Sequence, residues 1–364
     1  MTLTTANQIT LQASLFSRGV LKTSLEVFQK AHFSGSHSKA KFTEERMRSS
    51  LKKKRHASGT FEQKTLGYVM TTPATLMALV VSIYPLLNGI ILSFQNKNMI
   101  MKNSGQFIGL ENYQKLLGDK DFFSAIGFSF IYTIAVVLCA YIVGFVLAMM
   151  LKDEMHGRGI YRTLLLLPWV VAPSVAATNW SWILNDKIGI INNTLQAIGL
   201  IDKPILFLAD PMLAKLTVIL TGTWKNFPFM MIVILAGLQS IPKDLYESAY
   251  VDGAGYWKSL RYITIPTIAN VSSICIILMI IWTFNNLENI YLLTNGGPNG
   301  ATYILPILTY YTAFYRNKLS YAAAIAVTML IIMLIFCLIY LRIQNKEKRM
   351  QQKLAKQAKK GLVK

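Results

Sequence analysis

Six long apolar runs constrain this chain more than any other feature, because each is long enough to cross a lipid bilayer. A transmembrane helix needs about 20 mostly apolar residues. Only 15% of the 364 residues are charged, compared with about 25% in an average soluble chain. The sequence therefore predicts an all-α membrane protein with about six transmembrane helices. The runs lie at 68–94, 124–151, 160–184, 216–238, 267–292 and 321–343.

The formal net charge of +20 admits two interpretations. The basic run Lys52-Lys53-Lys54-Arg55 resembles a nuclear-targeting or phosphate-binding patch. The alternative is the positive-inside rule, by which cytoplasmic segments of membrane proteins collect Lys and Arg. We favour the second interpretation, because the surplus flanks apolar spans and no nucleic-acid-binding motif accompanies it.

The distribution of basic residues predicts the orientation. If both ends are inside, the inner segments hold 27 Lys and Arg and the outer segments hold 9, which places both termini in the cytoplasm. Most of the excess comes from the two tails. Lys225 is taken to lie near a helix start. The predicted organisation is a basic N-terminal extension at 1–65, a six-helix transmembrane domain at 66–343 and a basic tail at 344–364.

The segment 239–266, between the fourth and fifth spans, is the most informative. Pro242 is predicted to start a short helix, which Gly253 and Gly255 break. A second amphipathic stretch, containing Trp257, then runs to Pro266, where the next span is expected to begin. The pattern predicts a helix–turn–helix on the cytoplasmic surface that fits a groove of another protein, whereas the plain alternative is an ordinary surface hairpin.

The order of residues in this segment closely resembles a known motif. Glu247-x-Ala249-x-x-Asp252-Gly253-Ala254, followed by Ile263-x-Ile265-Pro266, resembles the "EAA" loop of binding-protein-dependent ABC importer permeases. Stretches at 162–168, 182–192 and 293–298 narrow the resemblance to sugar-uptake permeases of the maltose, oligosaccharide and glycerol-phosphate type. The resemblance covers about 66–343. Ser248 departs from the motif, where alanine is usual, but it is small enough for docking.

The resemblance implies a type I ABC importer permease fold in a bacterial or archaeal cell membrane. In that family the loop docks into a cleft of a cytoplasmic ATPase and transmits its motion to the membrane helices. Glu247 would pair with a basic residue of the ATPase, Gly253 would permit the turn, and small residues would allow close approach. The coupling residues implied on this basis are Glu247, Ala249, Asp252, Gly253, Ala254 and Gly255.

The same resemblance implies the partners. They are a second permease subunit that completes a heterodimer, a dimer of ABC ATPases that binds ATP and Mg²⁺, an extracytoplasmic solute-binding protein and a sugar substrate. This chain has no GxxxxGK[ST] phosphate loop; Gly296-Gly297-Pro298 reads as an outer turn. We therefore expect a transport subunit that is not an enzyme, with no catalytic residue, no metal and no cofactor of its own.

Polar residues inside spans indicate a substrate path, because they are costly there. Amides with aromatic rings suit a sugar, and in the similar permeases substrate contacts come from the fourth and fifth helices. The alternative is that these groups bond other helices or lie in the headgroup zone. The predicted path residues are Asn226, Phe229, Trp282, Thr283, Asn285 and Asn286.

Two other classes of protein remain as rivals. A secondary transporter or channel would need no docking loop and would typically show buried ionisable pairs within its spans, which are scarce here. A membrane-bound enzyme would need a catalytic constellation of His, Asp or Glu, and the sequence shows none with catalytic spacing.

Overall fold

The computed structural model describes residues 62–102, 104–153 and 155–361, with side chains described from 68 to 344. The chain divides into two compact units, residues 1–84 and 85–364. Within the first unit, the described residues form the first part of one helix. Most of the predicted N-terminal extension lies outside the described residues, as do nearly all side chains of the predicted C-terminal tail.

The described residues are mainly helical, and one isolated antiparallel bridge joins Gln95 to Phe107. The helices are α1 Glu62–Ser93, α2 Glu111–Leu117, α3 Lys120–Met150, α4 Arg158–Val170, α5 Pro173–Ile183, α6 Ile190–Ala197, α7 Pro211–Gln239, α8 Lys243–Val251, α9 Tyr256–Ser259, α10 Ile265–Phe284, α11 Leu287–Thr294, α12 Leu305–Tyr310 and α13 Leu319–Gly361. π-helical turns occupy Leu260–Thr264 and Tyr311–Tyr315.

Five helical segments are long and apolar enough to cross a membrane, and a bent pair makes a sixth. This agrees with the predicted all-α fold of about six spans. The five are Tyr68–Ser93, Lys120–Met150, Pro211–Gln239, Tyr256–Phe284 and Leu319–Gln344. The third predicted span differs, because α4 and α5 meet at an angle of 93° instead of forming one helix over 160–184.

The core of the second unit lies where α3 packs against α7. A Cβ atom added to Gly144 would lie 2.8 Å from the Cβ of Met230 and 2.8 Å from the backbone nitrogen of Met231. Ala148, one turn further along, is completely buried in the same cluster. The close approach that these small residues suggest is therefore present, and it brings α7 within backbone contact of α3.

Aspartate caps fix where two of the spans begin. The Asp119 side chain accepts hydrogen bonds from the backbone N–H groups of Asp121 and Phe122 at the start of α3. The Asp210 side chain does the same for Met212 and Leu213 at the start of α7, where Pro211 occupies the first turn, a position that proline favours. α7 therefore begins well before Lys225. The expectation that Lys225 lies near a helix start is wrong: it lies in the middle of the span.

The fifth span ends earlier than the predicted 267–292. α10 stops at Phe284, and the side chain of Asn286 accepts a hydrogen bond from the N–H of Asn289 as the cap of α11. Asparagine favours this capping position over a helix interior. The polar residues that marked this span as a candidate path therefore lie at a helix break.

Candidate functional site

The loop between α7 and α10 adopts the predicted helix–turn–helix. Pro242 caps α8, which ends at Val251, and Gly253 has a φ of +75°, a conformation that favours glycine. The Ala254 N–H donates to the Ala249 carbonyl at 2.8 Å and closes the turn. Gly255 has extended backbone, with a φ of −70°, so the left-handed conformation belongs to Gly253 alone of the two.

The second arm of the loop is continuous with the fifth span, whereas the sequence predicts that the span begins at Pro266. α9, the π-helical turn at Leu260–Thr264 and α10 form one helical segment from Tyr256 to Phe284. Proline lacks an N–H donor, and the π-helical turn ends directly before Ile265-Pro266. Any displacement of the second arm is therefore a displacement of the base of the span.

The outer surface of the loop is exposed in the part of the chain that the structure describes. None of the residues Lys243–Val251 is buried, and Glu247, Asp252 and Gly253 are exposed. Large apolar side chains are exposed beside them: Tyr250 (81%), Val251 (85%), Tyr256 (63%) and Trp257 (77%). A group of exposed apolar residues of this kind is typical of a protein interaction surface.

Tyr246 joins the inner side of the loop to the transmembrane helices. Its hydroxyl lies 2.9 Å from the Thr264 hydroxyl, and Thr264 is buried at the π-helical turn. The ammonium group of Lys152, in the connection after α3, lies 3.7 Å from the centroid of the Tyr246 ring, within the range of a cation–π interaction. Tyr246 therefore connects the first arm of the loop both to its second arm and to the end of α3.

Three aromatic rings from three helices form a row, which we call the aromatic row. The Phe229 ring centroid on α7 lies 5.0 Å from that of Trp282 on α10 and 6.1 Å from that of Trp169 on α4. About half of each tryptophan side chain is exposed, 49% for Trp282 and 48% for Trp169. The structure thus brings together the predicted residues Phe229 and Trp282. Sequence reasoning missed Trp169, although it directly follows Pro168.

The predicted polar residues have different surroundings. Asn226 is one turn before Phe229 on α7 and donates to the Gly222 carbonyl of its own helix at 2.8 Å. Asn286 caps α11. Thr283 is almost fully buried, and its hydroxyl has no hydrogen-bond partner among the described residues. Asn289, which sequence reasoning did not select, reaches the Tyr132 hydroxyl at 3.4 Å and the Thr221 hydroxyl at 3.5 Å.

Asn285 lines a groove beside α13. Its amide donates to the Ile281 carbonyl at 2.8 Å, and it lines a mainly apolar groove of about 230 Å³ between α10 and α13. This groove is bordered by Ile281, Ala326, Met329, Leu330, Met333, Leu334 and Cys337. Asn285 therefore lines a groove that Phe229, Trp282 and Trp169 do not line.

A polar pocket of about 410 Å³ lies at the turn after α11, on the face predicted to be external. Arg316 donates to the Asp121 carboxylate across it at 2.9 Å, and this hydrogen bond raises the pKa of Arg316. Burial raises the pKa of Tyr303, with Tyr311 adding to the effect. At neutral pH the pocket therefore presents an ion pair, neutral phenols and glycine backbone.

A match to a family model identifies the class of protein that carries this loop and these transmembrane helices. Residues 128–349, more than half of the chain, match the family described as "Binding-protein-dependent transport system inner membrane component". The chain belongs to this family. It is a permease subunit of an ABC importer, and the ATPase of such an importer is a separate subunit. The prediction of a transport subunit without its own ATPase site is confirmed.

Relatives of the permease cover most of both sequences. A probable ABC transporter permease protein of Brucella suis biovar 1 is 34% identical over 78% of this chain and 98% of its own length. The trehalose/maltose transport system permease protein MalF of Thermococcus litoralis is 32% identical over 74% of this chain and 90% of its own length.

The fold of the permease also has a solved counterpart. A bacterial ABC transporter involved in the import of the acidic polysaccharide alginate contains a chain that superposes with a TM-score of 0.69, covering 78% of this chain and 96% of its own length at 24% identity. This confirms the predicted importer permease fold. The rival interpretation as a membrane-bound enzyme is excluded by the family match itself.

Proposed function

We propose that this permease forms half of a translocation path for a sugar, with a disaccharide or oligosaccharide as the substrate class. The aromatic row is the observation that carries the proposal. Half-exposed aromatic rings beside amide groups suit the apolar faces and hydroxyl groups of sugars. The Thermococcus litoralis relative, which bears the name of a trehalose/maltose permease, supports the same class of substrate.

We assign the path to Asn226, Phe229, Trp282, Thr283 and Asn286, and we add Trp169. These residues lie on or beside the three helices that meet at the aromatic row. Asn285 was predicted with them but lines the groove beside α13. A substitution of Asn285 therefore tests the groove independently of the path. The buried Thr283 hydroxyl, which lacks a partner among the described residues, is the hydrogen-bonding group closest in sequence to Trp282.

We further propose that the loop at 239–266 is the EAA loop and couples the path to a cytoplasmic ABC ATPase dimer that binds ATP and Mg²⁺. Glu247 pairs with a basic residue of the ATPase, Ala249 and Ala254 allow close approach, and Asp252 and Gly255 flank the turn at Gly253. The exposed Tyr250, Val251, Tyr256 and Trp257 support a docking role. With this loop inside, both termini are cytoplasmic.

The remaining partners follow from the same proposal. A second permease subunit, most simply a different chain, completes the path, and an extracytoplasmic binding protein delivers the sugar. A solved alginate transporter has been captured with a pentasaccharide-bound periplasmic protein, which supports such an assembly. ATP binding closes the ATPases, the loop carries this motion, and the path changes from inward-facing to outward-facing.

The test of coupling uses the assembled transporter in proteoliposomes. Glu247→Lys should abolish the ATP hydrolysis that the sugar-loaded binding protein stimulates, because it reverses the charge at the contact while the protein still inserts. Glu111→Lys, on α2, makes the same change of charge far from the loop along the chain and serves as the control. Normal stimulated hydrolysis in Glu247→Lys would contradict the coupling proposal.

The test of the path measures uptake from a panel of trehalose, maltose, longer maltodextrins, alginate oligosaccharide and glycerol phosphate. Phe229→Ala and the double variant Asn226→Leu/Asn286→Leu should lower uptake of the preferred sugar at least tenfold without loss of assembly. Asn285→Leu should change uptake less than twofold. The proposed path would be contradicted if the transporter took up none of these compounds, or if Phe229→Ala left the uptake kinetics unchanged.

A further inference from the structure

The break in the third span leaves backbone carbonyl groups without helical partners. α4 ends at Val170, Val171 and Ala172 have extended backbone, and α5 begins at Pro173. The last carbonyls of any helix lack intrahelical donors. Pro173 has no N–H, so it cannot donate to the Trp169 carbonyl four residues earlier. The bend of 93° therefore needs hydrogen-bond donors from outside its own backbone.

Lys225 supplies those donors from the middle of α7. Its ammonium group donates to the carbonyl of Pro168 at 2.9 Å, to that of Trp169 at 3.3 Å and to that of Val171. An ammonium group has three N–H donors, and three carbonyls at the break receive them. The negative end of the α4 dipole faces the same charge. A lysine in mid-span is costly, and this arrangement gives it a full set of partners.

The same contacts fix one ring of the aromatic row. Trp169 contributes a carbonyl to Lys225 and its ring to the contact with Phe229. Phe229 follows Lys225 by one helical turn on α7, so the two lie on the same side of the helix. Lys225 therefore holds the backbone of Trp169 while Phe229 holds its ring.

We propose that Lys225 is a positioning residue for transport: its ammonium group holds the break between α4 and α5 and so places Trp169 in the substrate path. The inference rests on the proposed path at the aromatic row. It assigns Lys225 no contact with the sugar. The positive charge of Lys225 stabilises carbonyl groups of the protein itself. The path gains a third aromatic ring, that of Trp169, from α4, which the sequence had not linked to it.

The experiment compares Lys225→Met, Lys225→Arg and Trp169→Ala in the assembled transporter, with the preferred sugar of the panel as the probe. Lys225→Met should lower sugar uptake about tenfold and leave binding-protein-stimulated ATP hydrolysis within twofold. A general loss of structure would lower both rates. Lys225→Arg keeps the charge and the donors and should restore most of the uptake. Lys215→Met, on the same helix, is the control and should transport normally.

A double variant decides whether Lys225 acts through Trp169. The uptake rate of Lys225→Met/Trp169→Ala should lie within about twofold of the slower single variant. The losses caused by two residues that act through one another are not additive. Multiplication of the two losses would refute the positioning role. If Lys225→Met does not assemble, Lys225→Gln replaces it, and uptake at the wild-type rate in that variant also refutes the role.

The outcome for Phe229→Ala separates this inference from the proposed function. If Phe229→Ala lowers uptake but Lys225→Met does not, the path stands and the role of Lys225 is wrong. If Phe229→Ala itself has no effect, the proposed path is wrong. A second measurement is the rate at which a thiol reagent labels Ala172→Cys. This labelling rate should change at least threefold when Lys225→Met is added and return to its original value with Lys225→Arg. An unchanged labelling rate would show that Lys225 does not hold the break.

Discussion

Gly144→Ala should destabilise the permease by about 1–3 kcal/mol, the range for overpacking a well-packed core. The added methyl group would lie 2.8 Å from the Met230 Cβ, 2.8 Å from the Met231 nitrogen and 3.1 Å from the Phe227 carbonyl oxygen. Two of these three atoms belong to the backbone of α7, so a rotamer change cannot relieve the contact and α3 must move away. The ratio of unfolded to folded protein should rise roughly 5- to 140-fold.

Gly127→Ala provides the matched control, because Gly127 lies on the same helix and a Cβ atom there meets nothing within 4 Å among the described residues. Alanine is the better helix former by about 1 kcal/mol in water, so this variant should be neutral or slightly stabilised. The assay is SDS-induced unfolding of the purified transporter, followed by circular dichroism. Equal midpoints for the two variants would refute the argument that the α3–α7 contact limits the volume at Gly144.

Three further predictions follow from single contacts. Gly253→Ala should lower stimulated ATP hydrolysis about 5- to 30-fold, because a left-handed residue other than glycine costs about 1–2 kcal/mol. Gly255→Ala should reduce it less than threefold, and equal losses would show that the backbone of Gly253 is not decisive. Ser129→Ala should lower the free energy of unfolding by about 1–3 kcal/mol in the same SDS titration, because it leaves the buried Leu305 N–H without a partner. This N–H donates to the Ser129 hydroxyl at 2.9 Å, and an unchanged midpoint would contradict the prediction. Tyr246→Ala should reduce the ATP hydrolysis that the binding protein stimulates more than Tyr246→Phe, which keeps the ring beneath Lys152 and loses only the bond to Thr264. Equal losses in the two variants would assign the effect to the hydroxyl and contradict a role for the ring.

Composition and apolar run length were sufficient to predict the membrane class and the approximate places of the spans. They were not sufficient to place helix ends, although the signals were present. Asp210-Pro211 is a capping pair that starts α7, and Asn286 caps α11. A hydropathy window averages over such residues, so the start of α7 was predicted too late and the end of α10 too late as well.

The prolines of the third span indicate a kink, but the size of the bend, 93°, could not be predicted from the residues of the span alone. Pro168 lies within α4 and Pro173 begins α5, so one proline is tolerated in a helix and the other stands at its start. Carbonyl groups at the break accept hydrogen bonds from Lys225, which is more than 50 residues away in sequence. Periodicity cannot report a hydrogen bond between two spans, and for the same reason it did not find Trp169.

The turn of the loop at 239–266 was predictable because its chemistry is local. Gly253 is required by its own backbone conformation, and the cap at Pro242 precedes the helix that it starts. The contact of Tyr246 with Thr264 joins two arms of the same loop, but its link to Lys152 depends on how the end of α3 packs. The exposed residues of the loop could therefore be identified in the sequence, whereas the contacts that join the loop to the end of α3 could not.

The geometry of the loop explains why a small motion at its surface is sufficient to alter the aromatic row. α7, which carries Phe229, ends at the loop, and the helical segment Tyr256–Phe284, which carries Trp282, begins there. At a rise of 1.5 Å per residue, Trp282 lies about 39 Å from the base of its segment at Tyr256. A tilt of about 10° at that base would move Trp282 by about 7 Å, more than the 5.0 Å that separates its ring from Phe229. Under the proposed coupling, an ATPase that binds the loop would open or close the aromatic row by tilting this segment, without contacting the row itself.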